Sequence, residues 1–212
     1  SEQRPEFMDS NQDNSDLARH MDEFILVVAN GEWPSEELLT TLLDKADFTI
    51  ALDGAADRFE SWDLVVGDMD SISEQRPEFM DSNQDNSDLA KALIQYDVDA
   101  IVGVEGGRLD HRFAAFTSLF ESKSDAILYF DGWRACRVDK KGLEIEIEVG
   151  TICSLMALGN VTNVTMKGVD YELEGEDLQT GTRGVGNKAN SSPVTIYHGG
   201  GDLLFIWEAN VP

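Results

Sequence analysis

The feature that most constrains this sequence is a regular alternation of short apolar runs with amphipathic helical stretches. Apolar runs that end in glycine or acidic turns predict strands at 24–29, 48–52, 64–66, 100–104 and 126–130. Leucine and phenylalanine at helical spacing predict helices at 35–46, 89–96 and 109–121. Strands that alternate with helices and lack a polar face are typical of an open parallel α/β sheet.

The pattern changes after about residue 133. Apolar and acidic residues alternate with period 2 across 143–149, which predicts a half-buried antiparallel strand. Further β-rich runs follow at 152–158, 161–166, 194–197 and 203–207, separated by turns rich in glycine and asparagine. The sequence therefore predicts an α/β domain over 21–132 and a C-terminal β-sandwich domain over 133–212.

Residues 1–18 recur letter for letter as residues 73–90. A perfect repeat of this length does not arise by chance, and structural repeats diverge and occur in series. The second copy lies between a predicted strand and a predicted helix, and its last residues begin that helix. We therefore expect residues 1–20 to be a mobile leader, foreign to the fold.

The charge of the chain disfavours two classes of partner. The 41 acidic and 16 basic side chains give a formal net charge of −25. A surface this acidic repels nucleic-acid backbones and anionic lipid, so we expect neither nucleic-acid nor membrane binding. Two cysteines are too few for a disulfide framework, which favours a cytoplasmic location.

Candidate functional residues follow the predicted strands. Turns at Asn30-Gly31, Asp53-Gly54, Gly67-Asp68 and Gly106-Gly107 belong to the edge of the sheet where open α/β folds bind ligands. Gly and Asp also simply make good turns, so each one alone is weak evidence.

Acidic residues are concentrated around the third of these turns. Asp68 and Asp70 follow a buried strand, and Asp85 and Asp88 precede a helix for which Ser87 is the expected N-cap. Several carboxylates in one cleft require a cation, and hard oxygen ligands suit Mg²⁺.

A positive charge follows the next strand along the chain. Arg108 is predicted between a strand and a helix, where its guanidinium can clamp phosphate oxygens. The alternative is that Arg108 and Asp110 form a surface ion pair and that His111 merely faces solvent. We favour a functional role for these three residues because their segment lies at the same edge of the predicted sheet as the acidic residues.

Taken together, these segments resemble the ordered motif set of the thiamin pyrophosphokinase family, particularly its bacterial type. The matching segments are Ala29-Asn30-Gly31, Asp53-Gly54-Ala55-Ala56-Asp57, Gly67-Asp68-Met69-Asp70-Ser71-Ile72, Gln84-Asp85-Asn86-Ser87-Asp88 with Lys91, Gly106-Gly107-Arg108-Leu109-Asp110-His111, and Thr182-Arg183-Gly184-Val185-Gly186-Asn187. The resemblance spans residues 22–210. It implies a homodimer that binds thiamin between subunits and transfers a pyrophosphoryl group from ATP to the thiamin hydroxyl, giving thiamin diphosphate and AMP.

The resemblance also implies roles for single residues. Asp68, Asp70 and Asp88 would hold Mg²⁺, and Asp85 would accept the hydroxyl proton. The residues implied at the ATP site are Asn30, Gly31, Asp53, Gly54, Lys91, Gly107, Arg108, Asp110 and His111. Those implied at the thiamin site are Gln84, Asp85, Asn187 and an aromatic wall, either Phe205 or Trp207. Gly186 departs from the serine usual in bacterial relatives.

Three other interpretations stay open. Asp-Met-Asp-Ser after a strand is also typical of haloacid-dehalogenase-like phosphatases, but there the motif follows the first strand and the Gly-Gly-Arg segment has no role. A non-catalytic thiamin- or nucleotide-binding regulator would keep the fold, although it would not need the intact carboxylates. A pyrophosphokinase for another alcohol, such as a pterin, would use the same chemistry.

Overall fold

The computed structural model describes residues 23–67, 78–79 and 86–209. The α-helices in these ranges are α1 (Glu36–Lys45), α2 (Asp88–Gln95) and α3 (Leu109–Ser122). The strands are β1 (Ile25–Val28), β2 (Phe48–Leu52), β3 (Leu64–Val66), β4 (Glu78–Phe79), β5 (Ala100–Val102), β6 (Ile127–Phe130), β7 (Trp133–Val138), β8 (Leu143–Ile145), β9 (Ile152–Lys167), β10 (Leu173–Gln179), β11 (Asn187–Lys188), β12 (Val194–Tyr197) and β13 (Gly200–Glu208).

The first half is the parallel sheet that the alternation predicts. Its strand order is β4-β3-β2-β1-β5-β6, and all of these neighbours pair in parallel. The chain leaves β1 toward β2 on one side and returns to β5 on the other side. A crevice therefore opens between β1 and β5 at their carboxyl ends, the position at which open α/β sheets bind ligands.

Helices cover both faces of this sheet because its strands are apolar on both faces. Val27 of β1 packs in the same core cluster as Leu93 of α2 and Leu119 of α3. Its neighbours on β1 pack on the opposite face with Leu38 and Leu42 of α1. The 3₁₀ turn Asp53–Asp57 follows β2 directly. The crevice is thus bordered by α2 and α3 on one face of the sheet.

The second half is all β within the described residues, as predicted, and it continues the same sheet. β6 and β7 form an antiparallel hairpin, and β13 lies between β7 and β9. The later part of β9 pairs with β10 and β12, and β12 pairs with β8. Side chains from these strands, including Leu155, Met166, Ile196 and Phe205, share one buried core.

β13 contributes to both halves of the molecule. Leu203, Phe205 and Trp207 turn into the β core, while Leu204 and Ile206 pack against the core under α2 and α3. Successive residues of a strand point to opposite faces, so one strand can serve two cores.

Two strand predictions in the second half need correction. The runs at 152–158 and 161–166 form the single strand β9, because positive φ angles at Gly159 (88°) and Asn163 (53°) bend the chain without ending its pairing. The run at 143–149 is a strand only through Ile145, although Ile147 is also buried.

None of the helices in the described part of the chain combines the length and hydropathy of a membrane span.

Candidate active site

The crevice between β1 and β5 opens into a cleft of about 920 Å³ between α2 and α3. Its walls come from the turns that follow β1, β2, β3 and β5 and from the first turns of both helices. The polar or charged residues of the lining are Asn30, Asp53, Asn86, Ser87, Asp88, Lys91, Glu105, Arg108, His111 and Ser118. This arrangement brings together residues as far apart in the sequence as Ala29 and Ser118.

The floor of the cleft is formed where two loops pack backbone against backbone. The Gly31 amide donates to the Gly103 carbonyl at 2.7 Å, and the Glu32 amide donates to the Glu105 carbonyl at 2.6 Å. A Cβ atom at Gly31 would lie 2.3 Å from the Glu105 oxygen. Only glycine fits there, so the sequence Asn30-Gly31 lets the two loops meet.

Arg58 holds this floor from the side. Its guanidinium donates to the carbonyl oxygens of Gly31 (2.6 Å) and Asn30 (3.2 Å) and lies 3.9 Å from the centre of the Trp33 ring. The contacts join the turn after β1 to the 3₁₀ turn after β2. Arg58 therefore fixes the position of Asn30 beside the cleft.

Asp53 enters the cleft from the end of β2 with an uncommon backbone conformation. Its φ of 36° lies in the left-handed region, which Asp tolerates better than most residues. Gly67 packs so closely that a Cβ atom there would lie 3.0 Å from the Asp53 Cβ. Gly54 is packed against Asn30, whose Nδ2 would lie 2.4 Å from an added Cβ. Small residues thus let these three turns meet at the cleft.

The start of α2 is fixed by two side-chain contacts. The Ser87 hydroxyl accepts a hydrogen bond from the Ala90 amide at 3.2 Å, which confirms the predicted N-cap. Asp88 Oδ1 lies 3.1 Å from Lys91 Nζ in the next turn. The Lys91 side chain is only 6% exposed, whereas Asp88 is 28% exposed.

The start of α3 is more open. Gly106 and Gly107 both have positive φ angles (69° and 59°), and they turn the chain from β5 into the helix at Arg108. Arg108 and Asp110 form a bidentate ion pair, with distances of 3.1 and 2.5 Å and exposed fractions of 73% and 61%. The hydrogen bond from Arg108 lowers the pKa of Asp110 to about 2. The surface ion pair considered from sequence therefore exists, and it lies at the rim of the cleft.

Both helices direct their N-termini toward the same cavity. Unpaired backbone N–H groups and the helix dipole make such ends favourable sites for anions. Lys91, Arg108 and His111 add basic side chains to the lining. The cleft can therefore bind a phosphorylated ligand even though the protein as a whole is strongly acidic.

Two family models match the chain in succession. The thiamin pyrophosphokinase catalytic domain matches residues 39–130, and the thiamin pyrophosphokinase vitamin B1 binding domain matches residues 142–198. Together they account for well over half of the 212 residues. The chain belongs to the thiamin pyrophosphokinase family. A search of curated protein sequences gives no match to it.

Solved structures with family names share the fold. Thiamine pyrophosphokinase from Bacillus subtilis is 22% identical, with a TM-score of 0.73 over 89% of this chain and 100% of its own. A thiamin pyrophosphokinase family protein from Enterococcus faecalis is 20% identical, with a TM-score of 0.70 over 88% and 99%. Thiamin pyrophosphokinase from Candida albicans is 15% identical, with a TM-score of 0.69 over 88% and 90%. At these identities the likeness establishes the architecture, an α/β unit followed by a β unit.

The structure brings most of the predicted nucleotide-site residues of this family member into the cleft, which is lined by Asn30, Gly31, Asp53, Lys91, Gly107, Arg108 and His111. Asp88, predicted as a magnesium ligand, lines it as well. Gly54 supports Asn30 from behind, and Asp110 reaches the rim through its pair with Arg108. Their roles toward a ligand stay predictions.

Four predicted site residues lie outside the described residues: Asp68, Asp70, Gln84 and Asp85. Gly67 precedes them and Asn86 follows them, and both of these line the cleft. Within the described ranges, no three acidic, histidine or cysteine side chains group as a metal site. Asp53 and Asp88 are the aspartates of the described lining, and carboxylate oxygens are the ligands that Mg²⁺ prefers.

The predicted residues of the β half lie away from the cleft lining, and the fold itself uses them. The Asn187 side chain donates through Nδ2 to the Tyr171 carbonyl oxygen at 2.8 Å. Its Oδ1 accepts a hydrogen bond from the Tyr171 backbone N–H at 3.1 Å. Trp207 is 6% exposed and stacks on the fully buried Phe205, with ring centres 5.3 Å apart. Gly186 has a φ of 74°, a conformation that serine adopts only with strain.

Sequence reasoning missed Arg58 and assigned no role to Glu105. Arg58 acts through backbone carbonyl oxygens, which no side-chain motif reveals. Glu105 lies in the predicted turn before Gly106-Gly107, so its position after a strand was a usable signal.

Proposed function

We propose that the protein is a thiamin pyrophosphokinase, an enzyme that transfers the pyrophosphoryl group of ATP to the thiamin hydroxyl and releases thiamin diphosphate and AMP. The observation that carries this proposal is the cleft at the β1–β5 crevice. It combines two helix N-termini, basic side chains and carboxylates in a region that matches the family's catalytic domain. Positioning and charge neutralisation are the main requirements of such transfers.

The phosphates of ATP would bind between the two helices. Backbone N–H groups at the starts of α2 and α3 would donate to them, with Lys91 and Arg108 supplying positive charge. Arg108 is exposed, so a phosphate can replace Asp110 as its partner without burying an unpaired charge. Asn30, Gly31, Asp53, Gly54, Gly107, Asp110 and His111 would complete the nucleotide site.

Asp68, Asp70 and Asp88 would hold Mg²⁺. Asp88 suits this role because its carboxylate is part of the lining and is itself oriented by Lys91. The ion would neutralise charge on the phosphate oxygens during transfer. Reliance on a cation also explains how a lining that includes several carboxylates can accept a polyphosphate.

The transfer needs an activated acceptor. The thiamin hydroxyl oxygen would form a bond to the β-phosphorus of ATP while the bond from that phosphorus to the α-phosphate oxygen breaks, so that AMP leaves. Asp85 would accept the hydroxyl proton, and Gln84 would lie beside it at the acceptor. Thiamin is a cation, so the acidic surroundings favour its binding.

The remaining parts of the proposal concern the β half and assembly. Residues 142–198 match the vitamin B1 binding domain of the family, and we place Asn187 and Trp207 in the structure that supports thiamin. The enzyme would work as a homodimer with thiamin between subunits. We propose a cytoplasmic location, in keeping with two buried, unpaired cysteines, Cys136 and Cys153, whose pKa values burial raises to about 12 and about 11.

Product analysis tests the proposal directly. The protein is mixed with ATP, Mg²⁺ and thiamin, and AMP, ADP and thiamin diphosphate are measured. Thiamin-dependent AMP with an equal amount of thiamin diphosphate is the expected result. ADP or free phosphate would instead indicate a simple kinase or a phosphatase. If no turnover occurs with thiamin, the same assay with pterin alcohols separates another acceptor from a non-catalytic regulator.

A further inference from the structure

A cluster of three side chains lies beside the floor of the cleft and outside its described lining. Arg58 follows the 3₁₀ turn after β2, and its guanidinium lies over the Trp33 ring. Trp33 meets the Phe59 ring edge-on, with ring centres 5.6 Å apart, and its Nε1 donates to the Ala29 carbonyl oxygen at 2.9 Å. The cluster therefore ties the end of β1 to the 3₁₀ turn through side chains to which the proposed reaction assigns no role.

Arg58 reaches the turn after β1 with one nitrogen of its guanidinium. Its Nη1 donates to the carbonyl oxygens of Gly31 and Asn30 at 2.6 and 3.2 Å. It also donates to the side-chain Oδ1 of Asn30 at 3.4 Å. The last contact is the longest of the three, but a full positive charge still attracts an amide oxygen at that distance.

This contact decides which way the Asn30 amide faces. An asparagine amide has an acceptor oxygen at one end and two N–H donors at the other, and the two ends have nearly the same shape. If Nδ2 took the place of Oδ1, its N–H groups would point at the guanidinium and the attraction would become repulsion. Arg58 therefore turns Oδ1 toward itself and directs the donors of Nδ2 elsewhere.

Asn30 brings these donors to the cleft. The residue belongs to the lining, and its Nδ2 lies against the turn after β2, where it would be 2.4 Å from a Cβ atom at Gly54. Donors at this place suit oxygen acceptors such as those of a nucleotide. We propose that Arg58 is a positioning residue for the nucleotide, which it does not touch, and that it acts by orienting the Asn30 amide. The inference rests on the proposed function, because it requires a nucleotide in the cleft.

Arginine suits this role because its guanidinium is planar. The group lies over the Trp33 ring, 3.9 Å from its centre, while its N–H groups reach the turn after β1. Lysine would keep a positive charge near the Asn30 oxygen but would lose the flat stacking surface. Arg58→Lys should therefore retain part of what Arg58→Ala loses.

A double-mutant cycle on kcat/KM for ATP tests the assignment. With saturating thiamin and Mg²⁺, Asn30→Ala should lower kcat/KM about tenfold or more, as the loss of a hydrogen bond to a charged group would give. Arg58→Ala should lower it by a similar factor, and the double variant should lose little more than either single variant. Arg58→Lys should give an intermediate value. Lys45→Ala, which removes an exposed cation from the Phe24 ring at the other end of β1, should keep the rate.

Three results would overturn the role of Arg58 alone. Losses that multiply in the double variant would show that Arg58 acts independently of Asn30. An unchanged kcat/KM in Arg58→Ala would remove the residue from the reaction, while thiamin-dependent AMP formation would still support the proposed function. A loss that Arg58→Lys does not restore, together with a lower melting temperature, would assign Arg58 to folding only.

Failure of the proposed function has a different signature. The unmodified protein would then form no thiamin diphosphate from ATP and thiamin. The same cycle on ATP affinity, measured by calorimetry, would decide the role of Arg58, with equal and non-additive losses supporting it. If the unmodified protein binds no ATP, the role of Arg58 fails as well.

Discussion

The two helices that begin at the cleft carry ion pairs of opposite character. At α2, Lys91 is buried and Asp88 holds it from within the same helix. At the start of α3, Arg108 and Asp110 form an ion pair, and both side chains are largely exposed. The first pair is part of the architecture, whereas the second can exchange its partner for a ligand because water already surrounds it.

The N-cap residues of these two helices also differ, because only the one at α2 uses its side chain as a cap. The Ser87 hydroxyl satisfies a backbone amide at the start of α2. At α3 the N-cap residue Arg108 makes no side-chain cap bond. The start of α2 is thus capped by the side chain of its own N-cap residue. At the start of α3, Asp110 Oδ1 accepts a hydrogen bond from the His111 amide at 3.0 Å, and a phosphate can replace this exposed carboxylate.

The largest expected effect comes from breaking the buried pair. Asp88→Asn should reduce turnover by about 100-fold or more, because it removes a carboxylate from the proposed magnesium ligands. It should also lower the free energy of unfolding by about 1–3 kcal/mol, since Lys91 stays buried without a charged partner. Steady-state kinetics and urea denaturation measure the two effects.

Asp44→Asn, on the exposed side of α1, is the matched control for this change and should affect neither quantity. If Asp88→Asn keeps a rate near that of the unmodified protein, Asp88 is not one of the magnesium ligands.

A smaller effect, on activity alone, is expected at the exposed pair. Arg108→Ala should reduce kcat/KM for ATP by about 10- to 100-fold while the free energy of unfolding changes by less than about 0.5 kcal/mol. Arg108→Lys should give an intermediate rate, because lysine keeps the charge but loses the bidentate geometry. A large loss of stability in Arg108→Ala would contradict the distinction between the two pairs.

The cap at α2 should have an effect on stability. Ser87→Ala removes the bond to the Ala90 amide and should cost about 1 kcal/mol. The comparison with α3 is direct, since Arg108→Ala removes no side-chain cap there. Equal stability losses in the two variants, measured by thermal denaturation, would show that the starts of the two helices do not differ in this way.

The smallest effect concerns the titration of Asp110. Its pKa is about 2 in the folded protein and 3.8 for an ordinary Asp, so the contribution of the pair to stability is present above about pH 4. That contribution is lost as the pH falls toward 2, when Asp110 binds a proton in the folded state. In Arg108→Ala the pKa should rise toward the ordinary value, which carbon-detected NMR titration can follow. An unchanged pKa would contradict the pairing.

The sequence predicted the parallel half of the fold well because its strands are continuous apolar runs. The expected bounds of β2 and β3 match the structure, and α3 differs by one residue at its end. β7 was missed because Arg134 interrupts its apolar pattern, although this arginine is buried, lies over the Tyr129 ring and donates to nearby carbonyl oxygens. β10 was missed because three of its seven residues are acidic and a fourth is glycine, which hides the apolar alternation of a strand.

The cleft was predicted from the turns after the strands, and the described residues of those turns do meet there. What could not be predicted were contacts to the backbone, such as those of Arg58, and the burial of Phe205 and Trp207. A motif records which side chains are present, whereas these properties depend on which strands become neighbours.

The position of β13 has a consequence for synthesis on the ribosome. This strand lies between β7 and β9, yet it is the last strand along the described chain. Until it emerges, one edge of β7 has no partner, and the surfaces that Leu204 and Phe205 later cover stay exposed to water. Both halves therefore complete their cores only after β13 has been synthesised, and until then the nascent chain exposes apolar surface that favours aggregation.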